Sequence, residues 1–423
     1  MENLSRRYVE RKGINEGRIV LHSDLNNFFA SVECQNHPEL LGFPVAVCGR
    51  VDERHGIVLA KNELAKRCGV KTAEPIWQAK SKCAELLIVN PDYEEYERYS
   101  FLVKQIYSEY TDRVEGFGID EAWLELTSDI RIKTLEDGKE IADEIRKRVR
   151  KKTGLTVSIG VSDNKIFSKL ASDYKKPNAV TVFGPQNYES IIRNIDASEL
   201  IFVGRSTKAR LNELGIYTIG NIADTSEVFM KSMLGKNGES LFYNACGAND
   251  LKVSKTADVE KAKSIGNSAT LPFDLDSKEK ISDMIFALAE KVAYRLRCEN
   301  CLAKTLCISV RDTTLRTTEK QMPIEATANS IEIAKAAIQL YIENYDVNVP
   351  VRSLGIRTTN LISIKDACQI NIFDDKLFYR EKLAKIDITI DKIREKYGAN
   401  SISHLSAIKN NIHYHGATSF SRR

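Results

Sequence analysis

Two adjacent carboxylates, Asp120 and Glu121, sit in the middle of Gly116–Thr127, GFGIDEAWLELT, flanked by Phe117, Ile119, Ala122 and Trp123. The alternation of apolar and polar residues predicts two strand segments, with the acids where the chain bends. Close anions repel and neither tolerates a dry neighbour, so a divalent cation is the usual way to offset such an arrangement. A solvated surface turn would suit the same residues. Arg18–Phe29, RIVLHSDLNNFF, supplies a third acid, because the apolar run Ile19–Leu21 ends in Asp24 before an aromatic segment. Taken alone, Asp24 reads as a strand-end or helix-capping residue. With the two strands as neighbours, Asp24, Asp120 and Glu121 form a cluster able to hold two hard cations. Two such ions about 3.5–4 Å apart stabilise the attacking and leaving oxygens of a phosphoryl transfer.

The elements that must position these acids follow from periodicity. FFASVEC continues the first strand as a helix, Gly42–Arg50 and Ile57–Lys61 read as strands, and Asn62–Cys68 as a short helix closed by Gly69. After Pro91 a long amphipathic helix places Tyr96, Tyr99, Val103, Ile106 and Tyr110 on one face. Gly138–Lys152 is a second helix with the stripe Ile141, Ile145 and Val149, followed by a strand at Leu155–Val161, a helix at Asn164–Asp173 and a strand at Ala179–Phe183. The expected architecture is α/β (α+β), a sheet covered by helices on one face, with the residues between the first strand and Pro91 inserted into it.

Leu200–Ala223 contains Gly204, Lys208, Gly215 and Gly220 in a pattern of two short helices joined by a glycine hairpin. Such a hairpin presents backbone N–H groups to a phosphate, although a plain helical turn gives the same pattern. Lys252–Lys263 lacks apolar periodicity and reads as an exposed linker. From Ser264 to about Ile364 strands alternate with helices at Lys278–Glu299 and Ser330–Tyr345. Lys304, Arg311, Arg316, Arg352 and Arg357 lie on or beside those strands. That distribution predicts a basic sheet face opposite an acidic helical one, suited to gripping a polyanion.

Length and composition bound the rest. A chain of 423 residues suggests roughly two to four domains. The net charge of +4 is too small to argue for nucleic acid by itself. No apolar run approaches the ~18–20 residues of a membrane span, and MENLSRRYVERKG does not read as a signal peptide. Nine cysteines without regular spacing suggest a reducing interior and a cytoplasmic location. Cys298 and Cys301 have CxxC spacing, but with no matching pair they read as incidental thiols rather than a zinc site.

The segments SDLNNFFASVE, GIDEAWLE, SIGVSDNKIFSKLASDYKKPNA and FVGRSTKARLNELGIYTIG, in this order from about Ile19 to Thr359, resemble the Y-family translesion DNA polymerases, in particular the bacterial polymerase IV branch. The resemblance implies a right-hand polymerase with a ferredoxin-like palm (18–27 and 88–183), small fingers (28–87), a helix-hairpin-helix thumb (184–251), a linker (252–263) and a little finger (264–364). It implies a monomer acting in DNA repair, with low-fidelity, distributive lesion bypass and no proofreading. The matched palm acids are Asp24, Asp120 and Glu121, joined by the main-chain carbonyl of Leu25, and they would hold two Mg²⁺. Phe28, Phe29, Lys66 and Lys176 match nucleotide-binding positions, Phe29 being the steric gate against a ribose 2′-hydroxyl. Primer-template DNA would be held by Gly204 and Lys208 and by Lys304, Arg311, Arg352 and Arg357, with dNTPs as the second substrate.

The sequence also departs from the family pattern. A Tyr and an Arg three residues apart usually hold the triphosphate, and here those places fall on Glu63 and Lys66. Gly118 stands where Ser is usual before IDEA, and Trp123 where Tyr is usual. In the tail (365–423), Gln369, Ile372 and Phe373 of QINIF resemble the sliding-clamp binding pentapeptide, and a helical stretch follows at Asp375–Lys396. The alternatives are a catalytically inactive DNA-binding relative, or another two-metal nucleotidyl-transfer enzyme such as a cyclase or nuclease.

Overall fold

The run that begins at Ile19 becomes a fully buried strand, β1 (Val20–Leu25), at the centre of the larger sheet in a computed structural model of the chain. The structure describes residues 17–49, 56–127, 132–249, 251–258, 261–346, 348–366, 376–398 and 401–402. Two units are present, Met1–Cys48 with Val58–Val259, and Gly49–Ile57 with Glu260–Arg423.

In the first unit, β1 leads into α1 (Phe28–Asn36) and then into a small three-stranded sheet, β2 (Val45–Cys48), β3 (Val58–Lys61) and β4 (Leu87–Val89), in the order β3-β2-β4. Two short helices, α2 (Glu63–Arg67) and α3 (Ile76–Lys82), close over it around Ala46, Val58, Ala65 and Ala79. The sequence gives no clear sign of α3 or β4, which are short and turn exposed residues such as Trp77 outward.

The chain then returns through α4 (Tyr93–Ser108), the hairpin β5 (Val114–Gly116) and β6 (Glu121–Glu125), α5 (Leu135–Thr153), β7 (Val157–Ser162), α6 (Lys165–Tyr174) and β8 (Val180–Phe183). The sheet order is β5-β6-β1-β7-β8, so its first four strands, with α4 and α5, make a β-α-β-β-α-β arrangement. Tyr107, not Tyr110, completes the buried face of α4, because the helix stops at Ser108.

Helices cover both faces of this sheet, which corrects the one-face expectation. Ile19, Leu21 and Leu25 pack with α4 and α5. The alternate residues of β1 point the other way, and there His22 Nδ1 lies 2.8 Å from Ser172 Oγ on α6. The physical reason is Gly160 on β7, where a Cβ would stand 1.9 Å from the Ser168 carbonyl oxygen and 2.4 Å from the Ser172 nitrogen. Only a glycine lets α6 come so close to the strand.

Beyond β8 the chain forms α7 (Pro185–Tyr188), α8 (Arg205–Glu213), α9 (Ile219–Asp224) and α10 (Glu227–Ala245), which is broken at Gly235 (φ 64°). The segment that follows is not a free linker from its start. Val253 is fully buried beside Val20 and Trp123, its N–H lies 3.3 Å from Glu125 Oε2, and the Ser254 N–H donates to Glu115 Oε2 at 2.8 Å. A lone valine among charged residues gives no periodicity, so this strap left no pattern to read.

The second unit is an antiparallel sheet in the order β11-β10-β12-β9, comprising β9 (Ser264–Leu275), β10 (Cys301–Asp312), β11 (Thr317–Thr327) and β12 (Val351–Ser363). One face packs on α11 (Lys278–Cys298) and α12 (Ser330–Asn344). The polar, proline-containing sequence of β11 does not predict a strand, and an edge position is where both features are tolerated. A last helix, α13 (Lys376–Tyr397), joins this unit through ions: Arg297 meets both carboxylate oxygens of Asp391 at 2.7 and 2.8 Å, and Asp387 accepts from Ser330 N–H at 3.0 Å. Among the described residues no helix is long and apolar enough to cross a membrane, and every described cysteine is free.

Candidate active site

The antiparallel register of β1 and β6 sets Asp24 directly opposite Glu121. Asp120 ends the turn before β6, and its carbonyl accepts the Leu25 N–H at 3.1 Å. Gly118, which stands in place of the usual Ser, adopts φ +87° in that turn, a left-handed conformation that suits glycine. Three carboxylates therefore gather at the ends of two central strands. Burial first, then the charges of Asp24 and Glu121, push the Asp120 carboxyl up to about 6. Burial also holds Asp24 above its ordinary value, against the opposing pull of Lys176.

Two lysines answer this negative charge. Lys176 Nζ is 2.8 Å from Asp24 Oδ2 and 2.6 Å from Asp173 Oδ1. Lys169 Nζ, on α6, is 2.8 Å from Glu121 Oε2, 3.6 Å from Asp24 Oδ2 and 3.4 Å from Asp173 Oδ2. Burial opposes the Lys169 ammonium, but Asp173, Glu121 and Asp24 outweigh it and raise its pKa. His22, fully buried on the same face, stands 3.3 Å from Glu121 Oε2 and is lowered to about 3, first by burial and then by Lys169, so it is neutral. Among the described residues no group of three or more His, Cys, Asp or Glu converges in ready-made metal geometry. The donor set nonetheless fits a hard divalent cation by its chemistry, because three carboxylates, hard oxygen donors that are partly buried and mutually repelling, meet there.

Sequence reasoning named Lys176 but missed Lys169, Asp173 and His22. The first two belong to the polar edge of α6, whose buried residues include Ile166, Phe167, Leu170 and Ala171. The readable signal was the run of small residues Ser168, Ala171 and Ser172, which marks a helix face pressed against a strand.

Around the carboxylates, Phe28 is buried and Phe29 half-buried at the start of α1. Phe29 stacks on Tyr96 with ring centroids 4.1 Å apart and planes 10° apart. Glu63, the first residue of α2, accepts from Asn27 Nδ2 at 3.0 Å and lies 3.7 Å from Lys66 Nζ. The exposed lysine there is already partly matched by its own helix. Asn27 holds its position with a left-handed backbone (φ 51°) just ahead of α1.

The hairpin of α8 and α9 forms as expected, with Gly215 at φ 72° and Thr218 capping α9. Gly204 caps α8, and Lys208 Nζ reaches Ser198 Oγ at 2.9 Å and Asp196 at 3.3 Å. In the second unit, the open face of the sheet carries a groove of about 430 Å³ lined by Gly266, Ser268, Cys307, Ser309, Glu319 and Arg357. Lys304 and Arg311 are exposed and Arg352 is half-buried. The charge separation is weaker than expected. Glu319 sits on the supposedly basic face, 3.1 Å from Arg357, and α11 carries Lys278, Lys280, Lys291, Arg295 and Arg297. The pair bridges β11 and β12 across the intervening β10, which is why it escaped a strand-by-strand reading.

Residues 23–173 match the impB/mucB/samB family, and residues 262–372 match its C-terminal domain. The chain is 43% identical over 386 residues to DNA polymerase IV of Acetivibrio thermocellus, covering 91% of this chain and 96% of that protein. The chain belongs to the Y-family DNA polymerases. DNA polymerase IV 1 of Bacillus subtilis is 35% identical over 413 residues, 96% of this chain and 97% of that one. Among solved structures, a Y-family DNA polymerase chimera of Dbh and Dpo4 superposes with a TM-score of 0.73 at 26% identity, over 82% of this chain and 99% of the other. The larger sheet has the β-α-β-β-α-β order of a ferredoxin-like fold, and the carboxylates lie at its strand ends.

Proposed function

We propose that this chain performs template-directed DNA synthesis, joining a primer 3′-hydroxyl to the α-phosphate of a dNTP with release of pyrophosphate. The observation that carries the reading is Asp24 facing Glu121 across β1 and β6, with Asp120 beside them. Asp24, Asp120, Glu121 and the Leu25 carbonyl would hold two Mg²⁺. Bound there, the ions supply a lowered pKa for the hydroxyl and neutralisation of the leaving charge.

The chain's own residues do the rest. Lys169 keeps Asp24 and Glu121 compatible at short range. Lys176, exchanging Asp24 for the incoming nucleotide, becomes a contact to the triphosphate. Phe29 fills the space of a ribose 2′-hydroxyl. The small β2–β4 sheet with its two short helices would act as fingers, with few bulky side chains to test the nascent pair, which suits low-fidelity, distributive lesion bypass without proofreading. The thumb (184–251) and little finger (264–364) would hold duplex through Gly204 and Lys208 and through Lys304, Arg311, Arg352 and Arg357. Gln369, Ile372 and Phe373 lie outside the described residues; their sequence supports docking to a sliding clamp.

Primer extension with Mg²⁺ and four dNTPs on an undamaged template tests the reading. Template-directed products are expected. Duplex binding without extension would instead favour a catalytically inactive DNA-binding relative.

Two predictions arise at once. Glu63 puts an acid where a triphosphate is to bind, and Lys66 offers a point charge rather than a bidentate fork. Glu63→Tyr is therefore expected to lower the KM for dNTP by about threefold to tenfold, the scale of one new hydrogen bond together with the relief of one repulsion. Steady-state single-nucleotide insertion measures it, and an unchanged or higher KM counts against the assignment.

Asp120 gives the second. Its folded pKa of about 6 exceeds the ordinary 3.8, so the folded protein holds the proton more tightly than the unfolded chain does. That contribution is complete below the unfolded value and is lost as pH rises through about 6. Asp120→Asn should stabilise the metal-free protein by about 1–2 kcal/mol at around pH 8 and much less at around pH 4, while removing activity. Thermal unfolding in chelator at the two pH values reads the sign.

A further inference from the structure

Glu33 is a buried carboxylate, 4% exposed, that none of the chemistry above uses. It lies on α1 one turn after Phe29, so the two side chains share a helix face. Tyr96 of α4 spans both: its ring stacks on Phe29 and its hydroxyl donates to Glu33 Oε1. The same oxygen lies 3.3 Å from the backbone N–H of Asp92, the residue that caps α4. Tyr93 closes the cluster edge-on, with its centroid 6.0 Å from Phe29 and 5.8 Å from Tyr96. Tyr96 is fully buried, and the tilted Phe28 ring, its centroid 6.0 Å away, packs on it as well. A stacked pair without an anchor slides easily, because offset stacking is shallow. A phenol tied to a buried acceptor cannot slide without breaking a hydrogen bond in a dry site.

We propose that Glu33 is a positioning residue for sugar selection, fixing the Phe29 ring through the Tyr96 hydroxyl and thereby the clearance available at the ribose 2′ position. This rests on the reading of Phe29 as the steric gate. Glu33 touches no substrate, so its loss should change the choice between sugars more than the rate with the correct one.

The test compares the kcat/KM ratio for a dNTP against its matching ribonucleotide in six proteins: wild type, Phe29→Ala, Glu33→Gln, Glu33→Leu, Tyr96→Phe and the double variant Glu33→Leu/Tyr96→Phe. Phe29→Ala should lower the ratio about 100-fold or more, as removal of a whole steric block does. Glu33→Leu and Tyr96→Phe should each lower it about tenfold, the worth of one anchoring hydrogen bond, with dNTP insertion changed about threefold at most. Glu33→Gln keeps the acceptor and should stay near wild type. The double variant Glu33→Leu/Tyr96→Phe should be no worse than either single, because both remove one bond. If Phe29→Ala leaves the ratio unchanged, the gate reading fails and the proposal with it. If Phe29→Ala lowers the ratio while Tyr96→Phe does not, the gate stands and the proposal is overturned. Tyr96→Phe preserves the packed ring, so the test holds even where Glu33→Leu fails to fold.

Discussion

Replacement of Glu121 by alanine is expected to reduce primer extension by about 10³-fold or more, with primer-template binding within about twofold of wild type. The size follows from what the side chain does. It is one of three acids around the proposed reacting centre, and its Oε2 is 2.8 Å from Lys169. Without it, the remaining acids would hold a second divalent ion poorly, and the developing charge on the leaving group would lose its counterion. The fold should survive. Lys169 keeps Asp173 at 3.4 Å and Asp24 at 3.6 Å, so no buried cation is orphaned. A filter-binding assay beside a single-turnover extension assay separates the two effects. Equal loss in both assays would place Glu121 in folding or DNA binding instead.

The second large effect is structural. Gly160→Ala should destabilise the protein by about 3 kcal/mol or more, a fall of roughly 10 °C in Tm for a unit of this size. The added Cβ would meet the Ser168 carbonyl oxygen at 1.9 Å, the Ser172 nitrogen at 2.4 Å and the Ala171 Cβ at 2.8 Å. Two of those three are backbone atoms of α6, so no rotamer change relieves the clash. The helix must lift as a body, and Lys169 lifts with it. Calorimetry should show the lower Tm, and residual activity should fall more than the folded fraction does. Gly204→Ala is the control, since its Cβ would meet nothing within 4 Å. A Tm for Gly160→Ala close to that of the control would disprove the tight packing of α6.

Asp24, Asp120 and Glu121 could be read because each ends or begins a short apolar run, and a strand that stops on an acid is unusual enough to notice. Their company was not readable. Lys169 looks like any lysine on an amphipathic helix until α6 is known to lie on the carboxylate side of the sheet. That placement depends on Gly160, which in sequence is only a glycine within a strand. His22 stayed hidden because a lone histidine in an apolar run is equally a core residue. In the second unit the long strands and both covering helices follow their periodicity. β11 hides its strand because its alternation, Met322, Ile324 and Ala326, is short, follows a polar run and is interrupted by Pro323. The ion pair from Glu319 to Arg357 crosses a strand, and such a pair has no local signature at all.

The strap at Val253 shortens the stretch of chain between the two units. The chain remains fastened to the first unit as far as Thr256, whose N–H donates to the Asp112 carbonyl at 2.9 Å. Only residues 257–263 then precede the start of β9 at Ser264. Seven residues fully extended reach about 25 Å, against about 40 Å for the twelve residues of the whole polar stretch. A shorter leash confines its two ends to a smaller volume. If the two units grip one duplex, the second finds its footing at a correspondingly higher local concentration after the first has landed.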